Sequence, residues 1–268
     1  MVNAQEWLDK EYPHEKRNEI TQIFARNKNL EGKLVIKDFA KLAKLEVRGN
    51  NLTNVELSNL PSLTDFNANL CQLSTITVQD CPQIIYFNVA NNLLTNSNFL
   101  NGLNPEKLTF LAIHSNNFPE QDLSFLSKFI SLENLFIGNY SREKFEKGIY
   151  NRFTGSLEPL VFLNKLKELL IENTDISNGL GYLASSVQRI YCSADLGGES
   201  GCQNTIKQLE IYHQKDEKGN FYNYQNWRKA NPALIELGNN QRTKRWLDQN
   251  CPPSKEKIFR FSIFKKKV

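Results

Sequence analysis

The side chains with the widest chemical reach are three histidines, His14, His114 and His213, and five cysteines, Cys71, Cys81, Cys192, Cys202 and Cys251. A general base, a nucleophile or a metal ligand needs companions at set spacings, and none are present. The sequence has no Cys-x-x-Cys pair, His-Glu-x-x-His helix, Gly-x-Ser-x-Gly elbow, glycine-rich phosphate loop or kinase signature. The cysteines are odd in number and scattered, which fits reduced thiols better than a disulfide framework. Cys251 alone sits in a basic stretch, before Pro252-Pro253, where a thiol ionises more readily. These residues predict a protein that is not an enzyme and carries no metal and no cofactor, so its chemistry is expected to be recognition.

The residues that would recognise something are positioned by a repeat. Leu42-x-x-Leu45-x-Val47-x-x-Asn50-x-Leu52 recurs as Leu63-Phe66-Ala68-Cys71-Leu73, Ile84-Phe87-Val89-Asn92-Leu94 and Leu108-Leu111-Ile113-Asn116-Phe118. It continues as Leu132-Leu135-Ile137, Leu166-Leu169-Ile171-Thr174-Ile176 and Val187-Ile190-Cys192-Asp195, with starts 21, 21, 24, 24, 34 and 21 residues apart. Seven repeats with three apolar columns make 21 positions, and all 21 are apolar in a chain that is 40% apolar. Chance would give that roughly once in 10⁸ before allowing for choice of register. In each unit the alternation around the second and third apolar residues predicts a short strand with one buried face. Stacked copies predict a parallel sheet. The ninth column reads Asn50, Cys71, Asn92, Asn116, Tyr140, Thr174, Asp195. All but Tyr140 can satisfy turning backbone through a short side chain.

Outside the strands, the early repeats carry a second half-pattern, Leu52-x-x-Val55-x-Leu57 and Leu73-x-x-Ile76-x-Val78, which predicts extended segments on the opposite side. The later ones, around residues 122–129 and 157–162, have room for about two helical turns. Residues 140–155 read as an insertion. Residues 1–29 are expected to form a helical cap, with a capping-box start at Asn3 and Glu6, an end at Pro13, and a second helix over 15–26 turning Ile20, Ile23 and Phe24 inward. Residues 198–268 are expected to form a C-terminal cap and a basic tail. Its helices are placed around Ile206, Leu209 and Tyr212 and over Tyr224 to Ala230, with Lys-Asp-Glu-Lys-Gly-Asn as a loop between them.

The pattern Leu-x-x-Leu-x-Leu-x-x-Asn-x-Leu is similar to the leucine-rich-repeat superfamily over about residues 30–197. That resemblance implies an α/β solenoid, a horseshoe with a parallel concave sheet and helical caps. The blocks NAQEWLDKEYP, LEGKLVIKDF, YNRFTGSLEPL, LKELLIENTDIS and VQRIYCSADL also resemble a fungal family of intracellular leucine-rich-repeat proteins of unassigned function. Its members look like recognition regions, sometimes beside kinase-like domains, and the likeness supplies no catalytic residue.

On such a sheet the positions flanking each buried pair face outward. The first three strands place Lys44, Glu46, Arg48, Asp65, Asn67, Asn69 and Asn88 there, a plain polar surface. From the third strand on, Tyr86, Phe110, Phe136, Leu170 and Tyr191 form an apolar stripe, with His114 and Arg189 as polar neighbours, and His114 is expected to be exposed. An exposed apolar patch predicts a binding face for a protein or peptide. The competing expectation is that the insertion or tail covers it. Residues 1–240 carry 24 Lys/Arg against 27 Asp/Glu, and residues 241–268 carry 9 against 2, so a mildly acidic body ends in a basic tail. The body's charge argues against nucleic acid. Membrane contact through Lys255 to Val268 is a weaker alternative. An acid-bearing N-terminus without an apolar run predicts a cytoplasmic protein. The rival reading of function is a ligand-sensing regulatory domain of a larger, for example kinase-containing, protein.

Overall fold

The computed structural model describes residues 2–196, 201–210 and 224–240. His213, Tyr212, Cys251, the loop over 215–220 and the basic tail lie outside them. Eight three-residue strands, Gln22–Phe24, Lys44–Glu46, Asp65–Asn67, Tyr86–Asn88, Phe110–Ala112, Asn134–Phe136, Glu168–Leu170 and Arg189–Tyr191, stack in chain order as one parallel sheet. The 21 column residues sit behind it, none more than 1% exposed. Opposite the first coils, Val2–Asn3, Leu30–Lys37, Asn51–Ser58 and Thr75–Gln79 form a second parallel sheet, as the half-pattern predicts. Among the described residues no helix is long and apolar enough to cross a membrane.

Buried amides hold successive coils together. Asn92 Nδ2 donates to the carbonyls of Ala68 (2.9 Å), Val89 (3.0 Å) and Ala90 (3.1 Å), and its Oδ1 accepts from the Leu73 N–H (2.9 Å). Asn50 and Asn116 repeat the arrangement. Each bridges its own coil and the one before, where turning backbone would otherwise be orphaned. Tyr140 leaves this column, and Asn151 takes its place, donating to the carbonyls of Ile113 (2.9 Å) and Ile137 (3.0 Å). Phe153 then falls in line with Phe118, their ring centroids 5.5 Å apart. The coil therefore resumes at residue 151, earlier than the insertion boundary at 155. At the far end Cys202, not Asp195, supplies the donor to the preceding coil, its Sγ 2.9 Å from the Ile171 carbonyl.

Three other expectations need correction. Residues 15–26 are not a helix: His14–Glu19 is a 3₁₀ turn, and Gln22–Phe24 is the first strand of the long sheet. Ile20-x-x-Ile23-x-Ala25 carries the same spacing as the later columns, and pairing with Lys44–Glu46 satisfies its backbone. Ile23 is buried there and Phe24 faces solvent, 47% exposed. The inward polar group of that cap is Arg17, whose guanidinium donates to Asp9 (2.5 Å) and to the Tyr12 carbonyl (3.0 Å). The later coils form single 3₁₀ turns, Ser124–Leu126 and Glu158–Leu160, where two helical turns were expected, and a third such turn spans Leu180–Tyr182. One turn suffices to point Leu126 and Leu160 into the core.

The helical caps form at both ends. Asn3 Oδ1 accepts from the N–H groups of Gln5 and Glu6, both at 3.0 Å, starting the helix Ala4–Glu11. Helices Cys202–Glu210 and Tyr224–Ala230 close the other end, where the Tyr224 hydroxyl lies 2.9 Å from the carbonyls of Leu180 and Leu183. A further helix spans 232–240, starting at Pro232, whose missing N–H a first helical turn tolerates.

Candidate functional site

Residue-for-residue pairing sorts the outward side chains of the long sheet into rows. One row runs Asp65, Tyr86, Phe110, Asn134, Glu168, Arg189, and the next runs Asn67, Asn88, Ala112, Phe136, Leu170, Tyr191. The apolar stripe changes rows between Phe110 and Phe136, so it crosses the strands obliquely. Tyr86 stacks on Phe110 with centroids 4.3 Å apart and planes at 14°. Phe110 meets Phe136 edge-on at 5.2 Å. Tyr86, Phe110, Phe136 and Tyr191 are partly exposed. Leu170 is buried, 8% exposed, between Phe136 and Tyr191, so it fills the floor and offers little free area. Arg189 is exposed, and its Nη1 donates to Glu168 Oε1 at 2.6 Å.

The insertion lies along one side of this band. Its short helix, Arg142–Glu146, starts at Ser141, whose Oγ accepts from the Lys144 N–H. Lys144 Nζ donates to the carbonyls of Asn92 (2.7 Å) and Ser115 (3.3 Å), and Arg142 Nη2 donates to the Asp195 carbonyl (3.3 Å). Gly138 has no side chain, and an added Cβ would lie 2.6 Å from the backbone of Glu172. The Tyr140 ring lies edge-on to His114 at 5.0 Å, with its hydroxyl bonded to Glu172. Ser193 Oγ also donates to Glu172, at 3.0 Å. Burial raises the Glu172 carboxyl above its ordinary range, and burial beside Glu172 raises the Tyr140 hydroxyl.

His114 is consequently not the exposed contact expected of it. Its Nδ1 is buried without a hydrogen-bond partner among the described residues. Burial, with Lys144 beside it, lowers its pKa to about 4, so at neutral pH it is an uncharged packing group under Tyr140. Burial also raises the Cys71, Cys81 and Cys192 thiols, which disfavours nucleophilic thiolates. Among the described residues no group of three His, Cys, Asp or Glu side chains is placed to hold a metal ion. What the face offers is an aromatic band with charged and amide groups around it.

Sequence reasoning missed Asn151, Gly138, Tyr140 and Glu172. Asn151-x-Phe153 repeats Asn116-x-Phe118, a signal that the insertion obscured. Gly138 stands where the neighbouring strands carry His114 and Glu172, and its missing side chain leaves room for the close approach of the Glu172 backbone.

No family model matches the chain, and no curated protein matches it. Several solved structures are similar to it. One is the plant peptide hormone receptor RGFR1 in complex with RGF2: 16% identity, 61% of this chain, TM-score 0.41. This chain spans 30% of that receptor chain. Internalin C2 of Listeria monocytogenes strain 4b F2365 is 19% identical over 65% of this chain and 80% of its own, with TM-score 0.39. Internalin F of the same strain is 14% identical over 71% and 87%, with TM-score 0.35. The coils themselves, with buried Leu-x-x-Leu-x-Val columns, an asparagine ladder and one parallel strand each, make this chain an α/β leucine-rich-repeat solenoid with helical caps.

Proposed function

We propose that this chain is a non-catalytic scaffold that recognises a protein or peptide through the concave face of its solenoid. The observation that carries the reading is the continuous band of Tyr86, Phe110 and Phe136, in ring contact with one another and partly exposed. Soluble proteins seldom leave such a patch without a use. The likeness of several sequence blocks to fungal recognition regions supports the same reading. If these three rings and that of Tyr191 each lose about 60 Å² of surface on binding, the gross gain is about 6 kcal/mol. Association costs at least about 4 kcal/mol, so the band alone binds weakly and polar neighbours must add the rest.

Selection of binders from a displayed library of random 12-residue peptides on the intact chain tests this. Enriched peptides are expected to bind in the micromolar range. Phe136→Ala and Tyr191→Ala should each weaken them by at least about 1 kcal/mol while thermal unfolding barely changes. Both substitutions destabilising the fold, with peptide binding unchanged, would refute it.

A further inference from the structure

The proposed recognition face continues beyond its aromatic band onto the first two strands, and the charges there are unequal. Arg26 follows the first strand of the sheet and Arg48 the second, and both guanidiniums turn to one carboxylate, that of Glu46. Arg48 Nε lies 3.5 Å from Glu46 Oε1, and Arg26 Nη2 contacts Oε2. Glu46 is largely buried between them, its side chain 14% exposed, while the arginine side chains are 53% and 46% exposed. Lys44, two residues before Glu46 on the same face, is exposed and has no ion-pair partner among the described residues. Asp65, opposite Lys44 on the next strand, is the other acid of this corner. Three cations therefore face two carboxylates. Phe24 is exposed among them, with the Arg26 guanidinium 5.4 Å from its ring centroid.

The other charged pairs nearer the band are balanced one to one: Arg189 with Glu168 and Lys167 with Glu133, both at 2.6 Å. Among the outward residues of the strands, the excess positive charge thus lies at the Arg26–Arg48 end. A guanidinium that shares its carboxylate keeps N–H donors for a second acceptor, and a carboxylate fits that geometry in a bidentate way. The chain's own residues 241–268 carry 9 Lys/Arg against 2 Asp/Glu, so this end would repel them. The occupant with complementary charge is a separate partner.

We infer that the peptide taken by this face is acidic at one end and apolar along its middle, with a carboxylate on Arg26 and Arg48 and apolar side chains on Tyr86, Phe110 and Phe136. This rests on the concave face being a peptide site. Adjacent strands lie about 4.8 Å apart and an extended peptide advances about 3.3 Å per residue. Arg48 and Tyr86 are two strands apart, roughly 10 Å or three residues, and Phe136 is four strands away, roughly 19 Å or six residues. The motif is an Asp or Glu followed, in either chain direction, by apolar residues about three and six positions away.

The probes are peptides enriched from the random 12-residue library on the intact protein, and their synthetic variants. Enriched sequences should share an acidic residue at that spacing from two apolar ones. Replacing that residue by its amide should weaken binding to the unmodified protein about fivefold or more, as should Arg26→Gln with Arg48→Gln. Both losses should shrink at high salt. Phe136→Ala should weaken acidic and amide peptides alike. Binders that depend on Phe136 but lose less than twofold on amide replacement, or that carry basic residues at that position, would overturn the acidic preference and leave the peptide site standing. Failure to enrich any Phe136-dependent peptide would remove both.

Discussion

Replacing Asn92 by alanine tests the ladder that holds the coils, and through it the register of the outward face of the long sheet. Asn92 is fully buried and spends both halves of its amide on backbone. Alanine leaves the Leu73 N–H without its partner in a dry core, at a cost of about 1–3 kcal/mol. The carbonyls of Ala68, Val89 and Ala90 lose a shared donor, which adds a smaller amount. We expect a total near 3 kcal/mol, read as a shift in the urea unfolding midpoint at unchanged slope. Asn92→Asp should cost more, because it keeps an acceptor but sets a carboxylate against three carbonyl oxygens. The reciprocal change should stabilise. Cys71 occupies the same column with a thiol 3.5 Å from the Val47 carbonyl, a weak bond, so Cys71→Asn should gain about 1 kcal/mol. A loss below about 0.5 kcal/mol for Asn92→Ala would mean that the side-chain amides are incidental and the coils are held by apolar packing alone.

Leu70 holds a left-handed backbone, φ 56°, at a position where neighbouring coils use Gly49, Asn91 and Ser115, and its side chain is 56% exposed. Leu70→Asn should therefore raise stability by about 1 kcal/mol in the same urea assay, and a loss would contradict the strain argument. His114, held neutral with a pKa near 4 against the ordinary 6.5, favours the unfolded chain once that chain can take a proton. Stability should fall as pH drops from about 6.5 to about 4, by up to about 3 kcal/mol, and His114→Phe should flatten that part of the profile. An unaltered slope in the variant would show that other groups carry it. Cys192, buried with its thiol pushed well above the usual range, should resist iodoacetamide in the native protein and react only on unfolding, as peptide mass mapping would reveal.

The columns were legible because burial in a stacked coil is periodic. Each strand contributes one buried residue between two outward ones, so a spacing repeated in sequence fixes which side every residue faces, and the oblique stripe follows from pairing without offsets. Legibility failed where a residue answers to a neighbour outside the period. Gln22–Phe24 belongs to the sheet by its spacing, but its flanking Glu15 to Glu19 looked like the start of an amphipathic helix. Cys202 completes the ladder after residues that follow no repeat, so nothing in the spacing identified it. Leu170 faces outward by register, yet residues on adjoining strands cover it, and exposure of that kind is a property of three strands at once.

One event accounts for several of the departures near the site. Removing residues 140–150 from the longest spacing leaves 34 − 11 = 23 residues, close to the 24 of the coils before it. The extra residues thus enter between the strand of Asn134–Phe136 and its ladder amide, and they move that amide from 140 to 151. Tyr140, freed from the ladder position, turns onto the sheet. Its ring meets the half-buried His114 edge-on, and Glu172 takes its hydroxyl. Lys144 and Arg142 then anchor the segment to carbonyls on either side, Asn92 and Ser115 at one end and Asp195 at the other. The insertion therefore stands beside the aromatic band and forms one wall of it. In the proposed complex, the segment anchored between Asn92 and Asp195 limits approach from its own side, which leaves a bound peptide the path toward Arg26 and Arg48.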